Sequence, residues 1–259
     1  VDFAIPLVCF IFGLVVGTLA SRFGIGGAIV AIPFFRIILG FSGRAAIATA
    51  LPLTIPTALS GAVVFHKKRL IKYKTAITAG VFGSIFSVIG AYVTMFVSSD
   101  FLMVLTSFMF FGLAYMISRE KRERVRVTPS SLFEKAVLSI FIGCVAGFFS
   151  GFLGIGGGVI LVPLLVSIRK IPLRRAIPTS LATMAIYAVP GAITHYMLGN
   201  VNIDILTFVL LGSVIGARIS AEKTAKVEEK HLKDMFVVLL VFLGGILLVY
   251  ELFVLAGII

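Results

Sequence analysis

The 259-residue chain is 59% hydrophobic and 13% charged, with 23 Lys and Arg against 11 Asp and Glu, and its mean hydropathy is +1.15. A soluble domain is about half apolar and about a quarter charged, so the composition argues against a water-soluble enzyme; stretches such as 75–97, 101–117 and 235–250 hold no charge at all. The net charge of +12 is gathered into short hydrophilic interruptions, the pattern of loops that orient a membrane protein and not of a nucleic-acid-binding face.

In chain order, apolar segments run over 3–21, 26–39, 45–65, 75–97 and 101–117, then 135–152, 157–168, 176–197, 205–220 and 235–257. The first lacks a basic leader and a small-residue cleavage site, so it reads as a span and not as a signal peptide. Segments 26–39 and 157–168 are short, reaching about 18–21 Å at the helical rise against a hydrocarbon core of about 30 Å. Each follows a glycine cluster. The predicted fold is an all-α integral membrane protein with about eight full-length helices plus these two short ones. Cys9 and Cys144 lie in apolar segments without metal or disulfide spacing and read as packing residues.

If both short segments cross, the basic stretches at 67–74, 119–135, 169–175 and 218–233 fall on one side and carry 20 of the 23 cations, with Arg22 joining them and only Arg36 and Arg44 opposite. If both are re-entrant, the split is 11 against 12 and carries no orientation. The positive-inside rule thus favours ten crossings with the basic loops cytoplasmic.

The chain also repeats at an offset of 130: Gly24-Ile25-Gly26-Gly27 falls on Gly154-Ile155-Gly156-Gly157, Pro33 on Pro163, Arg44 on Arg174, Thr49 on Thr179, Leu51 on Leu181 and Gly61 on Gly191. Shared Pro, Arg and Thr positions exceed what hydrophobicity alone produces. Five crossings per half invert the second copy, which gives residues 1–118 as a first membrane repeat, 119–134 as a cytoplasmic basic linker and 135–259 as a second repeat of one membrane domain.

Two glycine loops entering from opposite faces bring helix N-termini and approachable backbone toward the midplane, a setting suited to a small anion. The candidate binding residues are Gly24, Gly26, Gly27, Gly154, Gly156, Gly157 and Gly158, with Thr49, Thr179 and Ser180 from the third helix of each half and Arg218 as a cation. Pro33, Pro163, Pro52 and Pro178 are candidate helix breaks or gates, because proline frees backbone carbonyls. Thr54, Thr57, Thr183, Pro190 and Thr194 belong to the same irregular helices and read as kinks with locally satisfied hydroxyls. His66 and His195 sit near segment ends and read as interfacial. No carboxylate is placed at mid-membrane, which leans the chemistry toward an anion. No Walker A, HExxH or GxSxG element is present, so no enzyme activity, cofactor or metal is expected.

Gly-Ile-Gly-Gly at 24–27 with Pro33, and Gly-Phe-Leu-Gly-Ile-Gly-Gly-Gly at 151–158 running into Val162-Pro163, then Arg174-Arg175-Ala176 and Thr179-Ser180, resemble the sulfite exporter TauE/SafE family, also called the toluene sulfonate uptake permease family. The likeness covers nearly the whole chain. The first half departs from the motif, with Arg22-Phe23 opposite Phe152-Leu153 and Ala28 in place of the third glycine. The family is usually described with seven or eight spans, and the difference from ten lies in how the short segments are counted. The resemblance implies transport of sulfite, sulfonates, sulfoacetate or similar anions across a prokaryotic inner membrane, within a lipid bilayer. It leaves substrate, direction, any coupling ion (proton or sodium) and oligomeric state open. The rival readings are a passive anion channel and a membrane subunit that anchors a cytoplasmic partner.

Overall fold

The computed structural model describes residues 4–23, 26–119, 131–224 and 229–258. Most of the linker, 120–130, lies outside the described residues. Among those described there is no strand, and the α-helices are α1 (Ala4–Phe23), α2 (Ala28–Pro33), α3 (Gly43–Ala50), α4 (Thr54–Lys67), α5 (Tyr73–Val93), α6 (Ser99–Arg119), α7 (Leu132–Leu153), α8 (Gly158–Ser167), α9 (Leu173–Met197), α10 (Ile203–Thr224) and α11 (Glu229–Leu255). Among the described residues, eight spans are long and apolar enough to cross a membrane, one of them Gly43–Lys67, which joins α3 and α4; the two shorter apolar helices are Ala28–Ile38 and Gly158–Ser167. This is the expected set of eight long and two short helices. The chain is a multi-pass integral membrane protein.

Local chemistry marks several boundaries. Ser131 caps α7 by accepting the Glu134 N–H at 3.0 Å, and Ser42 caps α3 through the Ala45 N–H. Pro52 interrupts the third span, where Leu51–Leu53 tightens into a 3-10 turn between α3 and α4, while α9 runs unbroken through Pro178 and Pro190. Pro33 closes α2, and the chain continues as a π-helical turn over Phe34–Ile38. Pro163 lies buried inside α8.

Small residues bring helices close. On α1, Gly13 meets Val209 and Gly212, and Gly17 meets Ser213 and Ala217 of α10; on α7, Gly143 meets Ala79, Gly147 meets Gly83 and Gly151 meets Ser87 of α5. Both pairs ascend together and are therefore parallel. At each contact an added Cβ would strike the facing backbone, which is how membrane helices gain packing without a hydrophobic drive between them. Lipid-facing surfaces carry the large apolar side chains. On α5, Ile77, Val81, Ile85 and Ile89 are exposed while Ala76, Ala79, Gly80 and Gly83 are buried.

The pairings exchange between halves. α1 packs on α10 as α7 packs on α5, α4 meets α9, and α6 meets α11. At one end of the bundle Arg36 bonds Asp100 and Glu251, and Arg44 donates to the Val97 carbonyl. At the other, Arg169 donates to Ser139 and Thr75, and Thr179 accepts from the Lys72 N–H.

Candidate functional site

The two glycine loops converge on one side chain. Gly26 has φ +73° and Gly156 φ +70°, a left-handed backbone that side chains other than glycine rarely adopt. A Cβ added at Gly26 would lie 2.8 Å from Thr54 Cγ2, and one at Gly156 would lie 2.5 Å from Thr54 Oγ1. Residues 130 apart in the repeat thus approach the same threonine at the start of α4. Thr54 is 0% exposed, and its Oγ1 has no hydrogen-bond partner. A buried, unbonded hydroxyl costs about 1–3 kcal/mol, so its position between two left-handed glycine turns singles it out. The loop residues Gly26, Gly27, Ile155, Gly156, Gly157 and Gly158 around it are buried.

Each loop is moored to the third helix of its own half by corresponding residues. Thr57 Oγ1 accepts the Gly27 N–H at 3.3 Å, and Tyr187, at the repeat position of Thr57, donates its hydroxyl to the Gly156 carbonyl at 2.9 Å. Tyr187 is fully buried and closes over Gly157, where an added Cβ would strike its hydroxyl. Gly154 ends α7 in the left-handed conformation, packed against Ile47. Gly24 lies outside the described residues.

The other candidates fall elsewhere. Thr49 and Thr179 are buried, but their hydroxyls are engaged across the halves: Thr49 accepts the Asn202 N–H at 3.0 Å, and Thr179 accepts the Lys72 N–H at 3.1 Å while donating to the Arg175 carbonyl at 2.6 Å. Ser180 is buried and donates to the Ile177 carbonyl. Arg218 is exposed on α10. His66 pairs with Tyr73. His195 differs from the interfacial reading, being 1% exposed with Nε2 on the Gly151 carbonyl at 2.8 Å.

Glu251 is likewise more enclosed than its place near the end of the last helix suggests. It is 0% exposed and takes a two-point ion pair from Arg36, Nε to Oε1 at 2.6 Å and Nη2 to Oε2 at 2.9 Å. Arg36 also reaches Asp100 at 3.1 Å and the Phe41 carbonyl at 3.0 Å. The carboxylate is therefore matched by a guanidinium and adds no net negative charge to the interior. Sequence reasoning missed Thr54 as a centre and Tyr187 as a mooring. The one available signal for the second is its register with Thr57.

Comparisons with known proteins agree with this architecture. The family described as sulfite exporter TauE/SafE matches residues 9–247. A probable membrane transporter protein of Methanocaldococcus jannaschii is 26% identical over 93% of this chain and 94% of its own length. The probable membrane transporter proteins YunE and YdhB of Bacillus subtilis are 27% and 29% identical, over 93% and 95% of this chain and 96% and 99% of their own lengths. No solved structure matches. With moored glycine loops in both halves and a family match spanning nearly all of its length, the chain belongs to the TauE/SafE sulfite exporter family.

Proposed function

We propose that this membrane transporter moves small sulfur-containing anions across the prokaryotic inner membrane, by alternating access of two inverted halves around the Gly26–Thr54–Gly156 junction. The family's description and the relatives' names as probable membrane transporters support transport, and a transporter family fits a chain that is not an enzyme. The observation that carries the site is the unpartnered, fully buried Thr54 hydroxyl between glycines of both halves.

The exchanged helix pairings and the positive-inside count support inversion, and the same count supports a cytoplasmic side for the basic loops. The junction is packed shut in this structure, which supports gated access over a continuous pore. A ligand admitted there meets a hydroxyl donor and glycine backbone, and the buried Glu251 carboxylate at one end of the bundle is already bound by Arg36. Such a place suits an anion and disfavours a cation. A sulfonate or sulfite head offers three oxygens in a pyramid that can bridge both loops, where a planar carboxylate offers two.

The test is competition at fixed ionic strength between a sulfonate and the carboxylate of the same carbon skeleton, on wild type and on Thr54→Val. The sulfonate is expected to bind more tightly, and Thr54→Val, which keeps the shape and removes the hydroxyl, to weaken it by about tenfold. Equal binding of the two would remove the argument for sulfur, and preference for a cation would refute the site. Concentrative uptake into vesicles under a proton or sodium gradient separates coupled transport from a channel.

A further inference from the structure

Four cations meet at the end of the bundle opposite the Arg36–Glu251 pair. Arg169, in the α8–α9 connection, donates from Nε to Ser139 Oγ at 3.0 Å and from Nη2 to Thr75 Oγ1 at 3.2 Å. Both hydroxyls are buried. Ser139 in turn donates to the Lys135 carbonyl, and Thr179 joins the Lys72 N–H to the Arg175 carbonyl. Hydrogen bonds thus order the backbone or side chain of Lys72, Lys135, Arg169 and Arg175, drawn from the starts of α5, α7 and α9 and the turn between α8 and α9.

Among the described residues every ion pair is made by Arg36, so none of the four has a described carboxylate as partner. Glu134 neighbours Lys135 on α7 and is exposed. Burial holds the Lys72 ammonium below its ordinary range, and Arg169, Arg175 and Lys135 then add like-charge repulsion. Burial likewise lowers Arg169. Loop orientation accounts for cations on this face, but not for a half-buried guanidinium held by two neutral hydroxyls amid like charges, which an anion would relieve.

The repeat supplies an internal control. At the matching positions of the opposite end stand Asn202 for Lys72, Ile5 for Lys135, Leu39 for Arg169 and Ala45 for Arg175. The threonine latch recurs there without a single one of these charges, so the cluster is no requirement of the shared fold.

We propose that Lys72, Lys135, Arg169 and Arg175 form a binding site for a phosphate-class oxyanion at this face, either the headgroup of an anionic lipid or a soluble anion. Arg169 supplies a guanidinium in fixed orientation, suited to the paired oxygens of such a group, and the lysines add charge at its rim. The site is separate from the Thr54 junction and stands whether or not that junction binds sulfonates.

Thermal unfolding of the purified protein in an uncharged detergent tests it. One arm titrates inorganic phosphate against chloride at equal ionic strength; the other titrates short-chain phosphatidylglycerol against short-chain phosphatidylcholine. A saturable rise in melting temperature in either arm is expected. Response to phosphate identifies a soluble anion, and response to phosphatidylglycerol alone identifies a lipid headgroup. The apparent affinity should fall by about tenfold or more in Arg169→Gln and in Lys72→Gln/Arg175→Gln. The second variant keeps the Arg169 bonds to Ser139 and Thr75 and so reads binding if the first is poorly folded. Absence of a rise over both controls, or a wild-type response in the Lys72→Gln/Arg175→Gln protein, would overturn the proposal.

Discussion

Thr49 and Asn202 are joined by a hydrogen bond from the Asn202 N–H to the Thr49 hydroxyl, at 3.0 Å and across a separation of 153 residues. Advancing Thr49 by the repeat offset of 130 gives Thr179, and moving Asn202 back by the same offset gives Lys72, whose N–H meets Thr179 at 3.1 Å. The third helix of each half thereby latches the residue just before a helix of the other. Thr49→Val and Thr179→Val should each cost on the order of 1 kcal/mol, since each leaves one backbone N–H without its acceptor. Unfolding midpoints in detergent should fall by similar amounts for the two, and sulfonate affinity should not change.

The Arg36–Glu251 pair predicts a larger effect. Removing one member, as in Glu251→Gln or Arg36→Leu, leaves a charge enclosed with a poorer partner and should destabilise by about 3–5 kcal/mol. The double variant Arg36→Met/Glu251→Leu should recover much of that loss, because it removes both charges together. Its melting temperature, compared with those of the single variants, decides the point.

Close helix approach separates two glycines of similar sequence context. Gly17→Val on α1 would press into the Ser213 carbonyl of α10, and should lower both expression and melting temperature. Gly112→Ala on α6 has nothing within 4 Å of the new Cβ. It should be neutral or stabilise by about 0.5–1 kcal/mol through helix propensity.

Inversion is checked by labelling. In a background lacking Cys9 and Cys144, single cysteines at Lys68 and Lys170 should react with an impermeant maleimide only from the cytoplasmic face, and those at Ser99 and Asn200 only from the other. Reaction of position 170 from the outer face, together with position 99, would contradict it.

Much of the fold was legible because lipid imposes long apolar runs and glycine, proline and charge punctuate them. The short helices expected within 26–39 and 157–168 occupy Ala28–Ile38 and Gly158–Ser167. The offset flagged Thr49 and Thr179 as a pair, yet their partners are backbone N–H groups, which every residue except proline carries and no pattern distinguishes. Thr54 was passed over for the opposite reason: its repeat position holds Met184, so symmetry gave no hint of it. Arg36 and Glu251 are 215 residues apart, and an ion pair between distant helices leaves no periodic trace. The 3-10 turn at Leu51–Leu53 contains Pro52, whereas Pro178, the sixth residue of α9, and Pro190 leave that helix continuous.

Under the alternating access proposed above, Thr54 standing where the other half has Met184 has an energetic consequence. Two copies identical at their junction would present a bound anion with the same surroundings whichever half had moved, and the two open forms would be degenerate in a symmetric bilayer. A hydroxyl from one half alone breaks that degeneracy. On that proposal a ligand at the junction holds more firmly to the first repeat than to the second, so its affinities from the two faces of the membrane differ.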